Sequence, residues 1–157
     1  MQRHTVRVTA GIVVEQDDRI LIVREPLPQF DPSKIFLTHP SGHMEKRESV
    51  LDAAVRECLE ETGYETELTD LIGVYETNHK SADYIRFSFV ARLKSESPIA
   101  EPTDEDVMEV LWMPIQELKA RRQEWRPGAT TRTLDDYFAG KRYPLHLIGQ
   151  VGKVDIS

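Results

Sequence analysis

The chain has 157 residues, 39% of them hydrophobic and 30% charged, which is typical of one globular domain and excludes fibrous or disordered classes. Its net charge of −7 lacks the positive field that attracts nucleic acid, so duplex binding is not expected. No apolar run reaches the roughly 20 residues that span a bilayer, and Met1 to Ala10 lacks the core of a secretory signal. The lone Cys58 cannot form an internal disulfide, so we expect a cytoplasmic protein with one domain over residues 1–157.

The first part of the chain predicts a β-hairpin. Val6 to Val14 and Arg19 to Val23 are rich in Val and Ile, and residues 16–18 between them supply turn chemistry. A loop with several prolines begins at Pro26 and ends at a strand or turn over Phe36 to His39.

A helix is predicted over Ser49 to Thr62, after a bend at residues 40–42. Apolar residues recur in this segment at helical spacing, which indicates one packed face. Ser49 and Asp52 are spaced as a capping box at its start, and Gly63 ends it.

The rest of the chain alternates strands and helices. The predicted strands are Thr66 to Tyr75, Tyr84 to Leu93 and Val107 to Met113, with an acidic loop over residues 95–106. Pro114 opens a short helix, and a last helix over Thr131 to Ala139 stops at Gly140. This order favours an α/β fold in which a mixed sheet lies between helices on both faces.

The densest group of functional residue types begins at Gly42. From this residue the chain fits the pattern G-x5-E-x7-R-E-x2-E-E-x-G. Because each residue type accounts for about 6 to 7% of usage, the probability of a chance match at a given starting position is of order 10⁻⁸. At about 100° per residue, Glu57, Glu60 and Glu61 share one arc of the helix, where their charges repel. Hard divalent cations prefer such oxygen ligands, so the pattern predicts bound Mg²⁺, with Mn²⁺ as the alternative. The fixed residues are Gly42, Glu48, Arg56, Glu57, Glu60, Glu61 and Gly63.

This pattern resembles the Nudix box, and the chain is identified as a member of the MutT-like Nudix hydrolase superfamily, with its box at residues 42–64. The resemblance implies an α/β/α sandwich and a pyrophosphohydrolase in which Glu57, Glu60 and Glu61 ligate metal. A backbone carbonyl beside the first box glycine, here that of Ser41, is a further ligand in the family. Arg56 and Glu48 then orient the carboxylates, and Arg56 reaches Glu60 at i+4.

The base that activates water is predicted in the acidic loop before Trp112, as in some relatives. Asp106, six residues before Trp112, is the preferred catalytic candidate, and Glu60 or Glu61 inside the box is the alternative. A solvated acidic surface loop is the competing interpretation. The other acidic residues considered are Asp104, Glu105 and Glu109.

Substrate contacts are predicted for Arg24 and Arg86, which lie on strands near the expected cleft. A guanidinium suits bidentate contact with phosphate oxygens, although isolated arginines are more often in surface ion pairs. His39 and His43 flank the loop into the box and are candidates to touch substrate.

Three aromatic residues, Tyr84, Phe87 and Trp125, are candidates to stack on a base, with core packing as the alternative. A basic patch, which receives a phosphate or is a solvated helix end, comprises Arg121, Arg122 and Arg126.

The tail over residues 140–149 and the H-P-S-G-H-M-E run resemble the NudJ subfamily of bacterial phosphatases. That resemblance implies a small-molecule partner: nucleoside tri- and diphosphates and the pyrophosphate of the thiamine pyrimidine precursor. An ADP-ribose or nucleotide-sugar pyrophosphatase is the alternative within the family, and a non-catalytic nucleotide sensor is a third. A monomer and a homodimer are both compatible with the sequence.

Overall fold

A computed structural model of the chain describes residues 2–155, so the predicted domain limits at Met1 and Ser157 fall outside the described range. Helices pack on both faces of a mixed sheet, which confirms the predicted α/β/α architecture. The helices are α1 (Val50–Thr62), α2 (Ile115–Ala120) and α3 (Ala129–Phe138). The strands are β1 (Val6–Gln16), β2 (Arg19–Pro26), β3 (Ile35–Thr38), β4 (Ser41–His43), β5 (Thr66–Asn78), β6 (Asp83–Leu93) and β7 (Glu109–Pro114).

Strand β1 is the centre of the sheet. The main path runs β3-β2-β1-β6-β5, while β4 pairs with β1 and β7 pairs with β2. Strands β1 and β6 are parallel, in a register that places Thr9 beside Arg86, and the other pairs among the described strands are antiparallel. Ala10 to Val14 is buried throughout because helices cover both faces, which explains its unbroken apolar run.

Each face of the sheet has its own apolar core. Helix α1 buries Ala53, Ala54 and Cys58 on one face, in the cluster that contains Ile12 of β1. Leu118 of α2 and Leu134 of α3 pack on the opposite face. Cys58 is fully buried, and this burial raises the pKa of its thiol to about 12, so the cysteine is a small core residue.

The turns and helix ends follow the local sequence. Asp17 and Asp18 have φ of 50° and 60°, the positive values that a two-residue type I′ hairpin requires, and β1 and β2 pair directly across them. The Ser49 hydroxyl accepts a hydrogen bond from the Asp52 N–H at 3.1 Å and caps α1. Gly63, at φ 79°, ends α1 and donates its N–H to the Leu59 carbonyl at 2.8 Å.

Three predicted elements need correction. The bend predicted at residues 40–42 is confined to Pro40, because Ser41 to His43 form strand β4, which pairs with β1 from Thr9 to Gly11. Helix α3 begins at Ala129, two residues early, because Gly128 at its N-cap has no side chain to signal the start. The late strand begins at Glu109 rather than Val107. Within residues 2–155, no helix is long and apolar enough to cross a membrane.

Candidate active site

The guanidinium of Arg56 joins the acidic residues of the box. Its Nε and Nη2 donate to the two carboxylate oxygens of Glu48 at 2.6 and 2.9 Å, a bidentate pair that fixes the plane of the guanidinium. Its Nη1 donates to Glu57 Oε1 at 2.9 Å and to Glu60 Oε2 at 3.0 Å. Nη2 also donates to the His43 carbonyl at 2.9 Å, which ties α1 to β4. Arg56 therefore orients two of the three helix carboxylates at once.

The third carboxylate, that of Glu61, lies apart from the other two. Glu57 and Glu60 line a cavity of about 1020 Å³, whereas Glu61 is only 2% exposed and its Oε1 accepts the Ser41 N–H at 2.9 Å. Burial and then the nearby charge of Glu25 hold the pKa of Glu61 well above its usual value. Burial also raises the pKa of Glu57. Ser41 lines the cavity, and the metal-binding role of its carbonyl remains a prediction.

The donor set fits a hard divalent cation in its chemistry. In the described part of the chain, no three His, Cys, Asp or Glu side chains converge as a formed metal site, and Arg56 bridges Glu57 and Glu60 instead. Its bonds leave the second carboxylate oxygen of each glutamate free of the guanidinium. A Cβ at Gly42 would overlap the Glu57 carboxylate, so the box glycine makes the space in which that carboxylate sits.

The acidic wall of the cavity is made of Glu57, Glu60, Asp104 and Asp106. The N–H groups of Thr103 and Asp104 donate to the Glu60 carbonyl at 2.8 and 3.2 Å, which docks the acidic loop on α1. Asp104 also accepts the Asp106 N–H at 2.9 Å. The structure thus brings Asp106 to the same cavity as the box glutamates, whereas Glu109 lies elsewhere.

The basic wall of the cavity is made of Arg86 and Arg126. The first residues of α3, Ala129 and Thr130, also line the cavity. Arg86 is 6% exposed, and no carboxylate in residues 2–155 lies within ion-pair distance of it. Burial and the neighbouring Arg126 lower the pKa of Arg86 to about 10, which leaves the guanidinium charged at neutral pH. A buried, charged guanidinium facing a cavity without an acid partner is suited to an anionic ligand.

Two neutral side chains hold Arg86 in place. Its Nε donates to the Thr9 hydroxyl at 2.7 Å, across the parallel register of β1 and β6. Its Nη1 lies 3.4 Å from His39 Nε2, and His39 Nδ1 lies 3.1 Å from the Pro40 carbonyl. Burial and the charge of Arg86 lower the pKa of His39 to about 3, so the ring is neutral and accepts from Arg86. His39 is fully buried and supports Arg86 rather than lining the cavity.

Glu25 is a cavity residue that the sequence interpretation missed. It lines the cavity and accepts from Arg126 Nη1 at 3.3 Å. Burial raises the pKa of Glu25. No local signal marked it, because Ile20 to Val23 of β2 are all buried without alternation, so the sequence did not distinguish Glu25 from Arg24 as the residue that faces the cavity.

Several other predicted contacts lie outside the cavity. Arg24 pairs with Glu109 at 2.7 Å and is not among the lining residues, so the structure favours the surface ion pair. Trp125 is buried and donates to the Leu118 carbonyl at 2.9 Å, while Phe87 packs against the α1 core.

Other predicted contacts do lie in the cavity. Tyr84 and His43 line it, as does Arg126 of the basic patch. The patch's other two arginines form ion pairs elsewhere, Arg121 with Glu117 and Glu124, and Arg122 with Asp135.

A cavity with acidic and basic walls beside a glutamate-bearing helix is suited to the hydrolysis of phosphoanhydrides, and a family match assigns the chain to that class. The NUDIX domain family matches residues 5–134, so the chain belongs to the Nudix hydrolases and is a pyrophosphohydrolase enzyme. Hydrolases of this family generally use a divalent metal.

Individual relatives agree with this assignment. A NUDIX hydrolase structure from Nitrosomonas europaea is 35% identical, with a TM-score of 0.81 over 93% of this chain and 97% of that one. The phosphatase NudJ of Escherichia coli K12 is 29% identical over 90% of each chain. An ADP-ribose pyrophosphatase from Streptococcus suis, at 15% identity and a TM-score of 0.60 over 87% of this chain and 92% of that one, shares the fold.

Proposed function

We propose that this enzyme is a Mg²⁺-dependent, cytoplasmic hydrolase of nucleoside tri- and diphosphates and related small diphosphates, including the pyrophosphate of the thiamine pyrimidine precursor. The observation that carries the proposal is the presence of an acidic and a basic wall in one cavity. Glu57 and Glu60 face it from α1, and Arg86, without an acid partner in residues 2–155, faces it from β6. A polyphosphate needs cationic groups on more than one side to offset its charge.

The box residues would hold the cation. We assign Glu57, Glu60 and Glu61 as ligands, with the Ser41 carbonyl as a further one. When bound, a divalent cation offsets phosphate charge and lowers the pKa of an attacking water. Arg56 keeps the first two carboxylates oriented, and its own plane is fixed by Glu48.

The remaining residues position the substrate and accept the proton. Arg86 binds non-bridging oxygens of the diphosphate, and Arg126 adds positive charge beside it. We assign to Asp106, which lines the cavity, the role of taking the proton from the attacking water, with Glu60 or Glu61 as the alternative. Because Thr103 and Asp104 are bonded to the Glu60 carbonyl, the acidic loop and the box keep a fixed relation.

An ADP-ribose or nucleotide-sugar pyrophosphatase is the second candidate. The cavity of about 1020 Å³ lies at the upper end of the usual range for ligand sites, which favours a substrate larger than a simple diphosphate. The leaving group separates the two activities, because the first releases inorganic phosphate or pyrophosphate and the second releases a sugar phosphate.

The test compares the wild-type enzyme with Glu60→Gln on a panel of nucleotides, thiamine-precursor diphosphate and ADP-ribose in Mg²⁺. Loss of a ligand carboxylate removes several kcal/mol of transition-state stabilisation, so kcat is expected to fall by about 10² to 10³-fold. Asp52→Asn is the matched control, since Asp52 is an exposed carboxylate of the same helix away from the cavity. Undiminished Mg²⁺-dependent hydrolysis by Glu60→Gln would defeat the proposal.

A further inference from the structure

We propose that Phe30, His79 and Tyr84 bind a planar aromatic heterocycle carried by the substrate, a group we name the aromatic clamp. This inference rests on the proposed function, because it places the organic part of the same diphosphate. The three rings come from two distant segments, the loop between β2 and β3 and the region of the β5-β6 turn. All three line the cavity that the acidic and basic walls share.

The rings pack edge to face, and His79 forms a pair with each of the other two rings. The centroid of His79 lies 5.9 Å from that of Phe30 at an interplanar angle of 64°, and 5.5 Å from that of Tyr84 at 89°. An edge-to-face pair covers at most one face of one ring, and the cations over Phe30 and Tyr84, Arg126 and Arg7, lie 5.7 and 5.8 Å from the ring centroids. Phe30 is 38% exposed, which costs solvation free energy unless a ligand covers it.

The position of Tyr84 links the aromatic clamp to the phosphate groups. Tyr84 lies two residues before Arg86 on β6, so the two side chains share one face of the strand at a spacing of about 7 Å. Arg126 provides a second link, because its guanidinium lies 5.7 Å above the Phe30 ring while it also belongs to the basic wall. A diphosphate held by Arg86 and Arg126 therefore extends its organic group towards these rings.

The loop that carries Phe30 is held in a defined turn. The N–H groups of Phe30 and Asp31 donate to the Leu27 carbonyl at 2.9 and 3.2 Å, and Leu27 itself is buried. Phe36 of β3 supports Phe30 edge-on, with the ring centroids 6.3 Å apart. Phe30 is thus presented to the cavity by packed neighbours, which lowers the entropy cost of binding a ring.

The experiment compares ligands with and without a ring. kcat/KM is measured for a nucleoside diphosphate, for the pyrimidine-methyl diphosphate and for methyl diphosphate, with the wild-type enzyme, Phe30→Leu and Tyr84→Leu. Stacking of a base on an aromatic side chain predicts a roughly 5- to 100-fold fall in each variant for a ring-bearing substrate. Methyl diphosphate is expected to keep its kcat/KM within about twofold, since the phosphate contacts are intact. A selective fall for either ring-bearing substrate supports the aromatic clamp and identifies which ring it prefers.

Tyr143→Leu is the matched control, because Tyr143 is 43% exposed and lies outside this cavity. Equal losses on all three substrates, or no loss on the ring-bearing pair, would overturn the inference. Calorimetric binding of the same ligands without metal separates it from the proposed function. If the wild-type enzyme cleaves none of the ligands but its binding affinity still depends on the ring and on Phe30, the proposed hydrolysis is wrong and the aromatic clamp is supported. If the binding affinity is independent of the ring, the aromatic clamp is wrong.

Discussion

The acidic and basic walls line the same cavity, but their residues come from very different parts of the chain. Glu57 and Glu60 of the acidic wall lie on one helix within a continuous pattern, so helical periodicity alone groups them. Arg86 and Arg126 of the basic wall come from β6 and from the segment before α3, which only the folded sheet brings together. Charge is also balanced differently. Arg56 pairs with Glu57 and Glu60 of the acidic wall, whereas in the basic wall Arg126 pairs with Glu25 and Arg86 has no acid partner within residues 2–155. The acidic wall is therefore suited to bind a cation. The basic wall is suited to bind an anion.

Among the arginines that serve the two walls, the largest expected effect is at Arg86. Arg86→Gln retains a hydrogen-bonding group near Thr9 but removes the charge that faces the substrate. A hydrogen bond to a charged group contributes about 1.5 to 3 kcal/mol, so kcat/KM for diphosphates is expected to fall by about 10- to 100-fold. Steady-state kinetics at saturating Mg²⁺ measures this change.

Arg92→Gln is the control for that experiment, because Arg92 lies on the same strand but pairs with Glu67 at the surface. We expect its kcat/KM to stay within about twofold of the wild-type value, as is usual for an exposed ion pair. Equal kinetics for Arg86→Gln and the wild-type enzyme would mean that the basic wall does not bind phosphate.

A smaller effect is expected at Arg56, which acts through its neighbours. Arg56→Lys keeps the charge but loses the planar fork that serves Glu48, Glu57 and Glu60 together. Residues that orient metal ligands typically contribute 10- to 100-fold, and a retained charge predicts a fall in kcat of roughly tenfold. The Mg²⁺ concentration for half-maximal activity is expected to rise as well, and a Mg²⁺ titration of activity measures both changes.

Arg121→Lys provides a matched comparison, because Arg121 also joins two carboxylates but on the surface of α2. It is expected to change neither kcat nor the Mg²⁺ requirement. If Arg56→Lys lowers thermal stability as much as activity and leaves the Mg²⁺ requirement unchanged, Arg56 is a structural residue only.

The same two walls explain how much the sequence could predict. Periodicity and the caps at Ser49 and Gly63 were sufficient for α1, and apolar runs bounded by turn residues were sufficient for most strands of the sheet. Arg24 and Arg86 are equivalent as isolated strand arginines, and their different environments depend on pairing with β7 and β1 respectively. No local pattern encodes such long-range register, which is why one prediction lies in the cavity and the other outside it.

The smallest expected effect tests stability rather than activity, at Glu61, the buried carboxylate of α1 that lies outside the acidic wall. Burial raises the pKa of Glu61 above its value of about 4.3 in an unfolded chain, so the folded state resists ionisation. Below that pH the residue is protonated in both states and costs nothing; as the pH rises, its ionisation increasingly favours unfolding. Glu61→Gln removes this cost while its amide oxygen can still accept the Ser41 N–H.

In metal-free buffer at pH 8, the Tm of Glu61→Gln is therefore expected to exceed that of the wild-type protein by about 2 to 4 °C, and the difference should shrink as the pH falls and vanish only below about pH 4. Calorimetry at several pH values measures the trend, with the exposed Glu67→Gln as a control that should show little difference. A difference that does not change with pH would mean that Glu61 carries no buried charge in the metal-free protein. The predicted trend would instead indicate that the fold accepts a loss of stability at this position, which is expected where a carboxylate is kept for a cation.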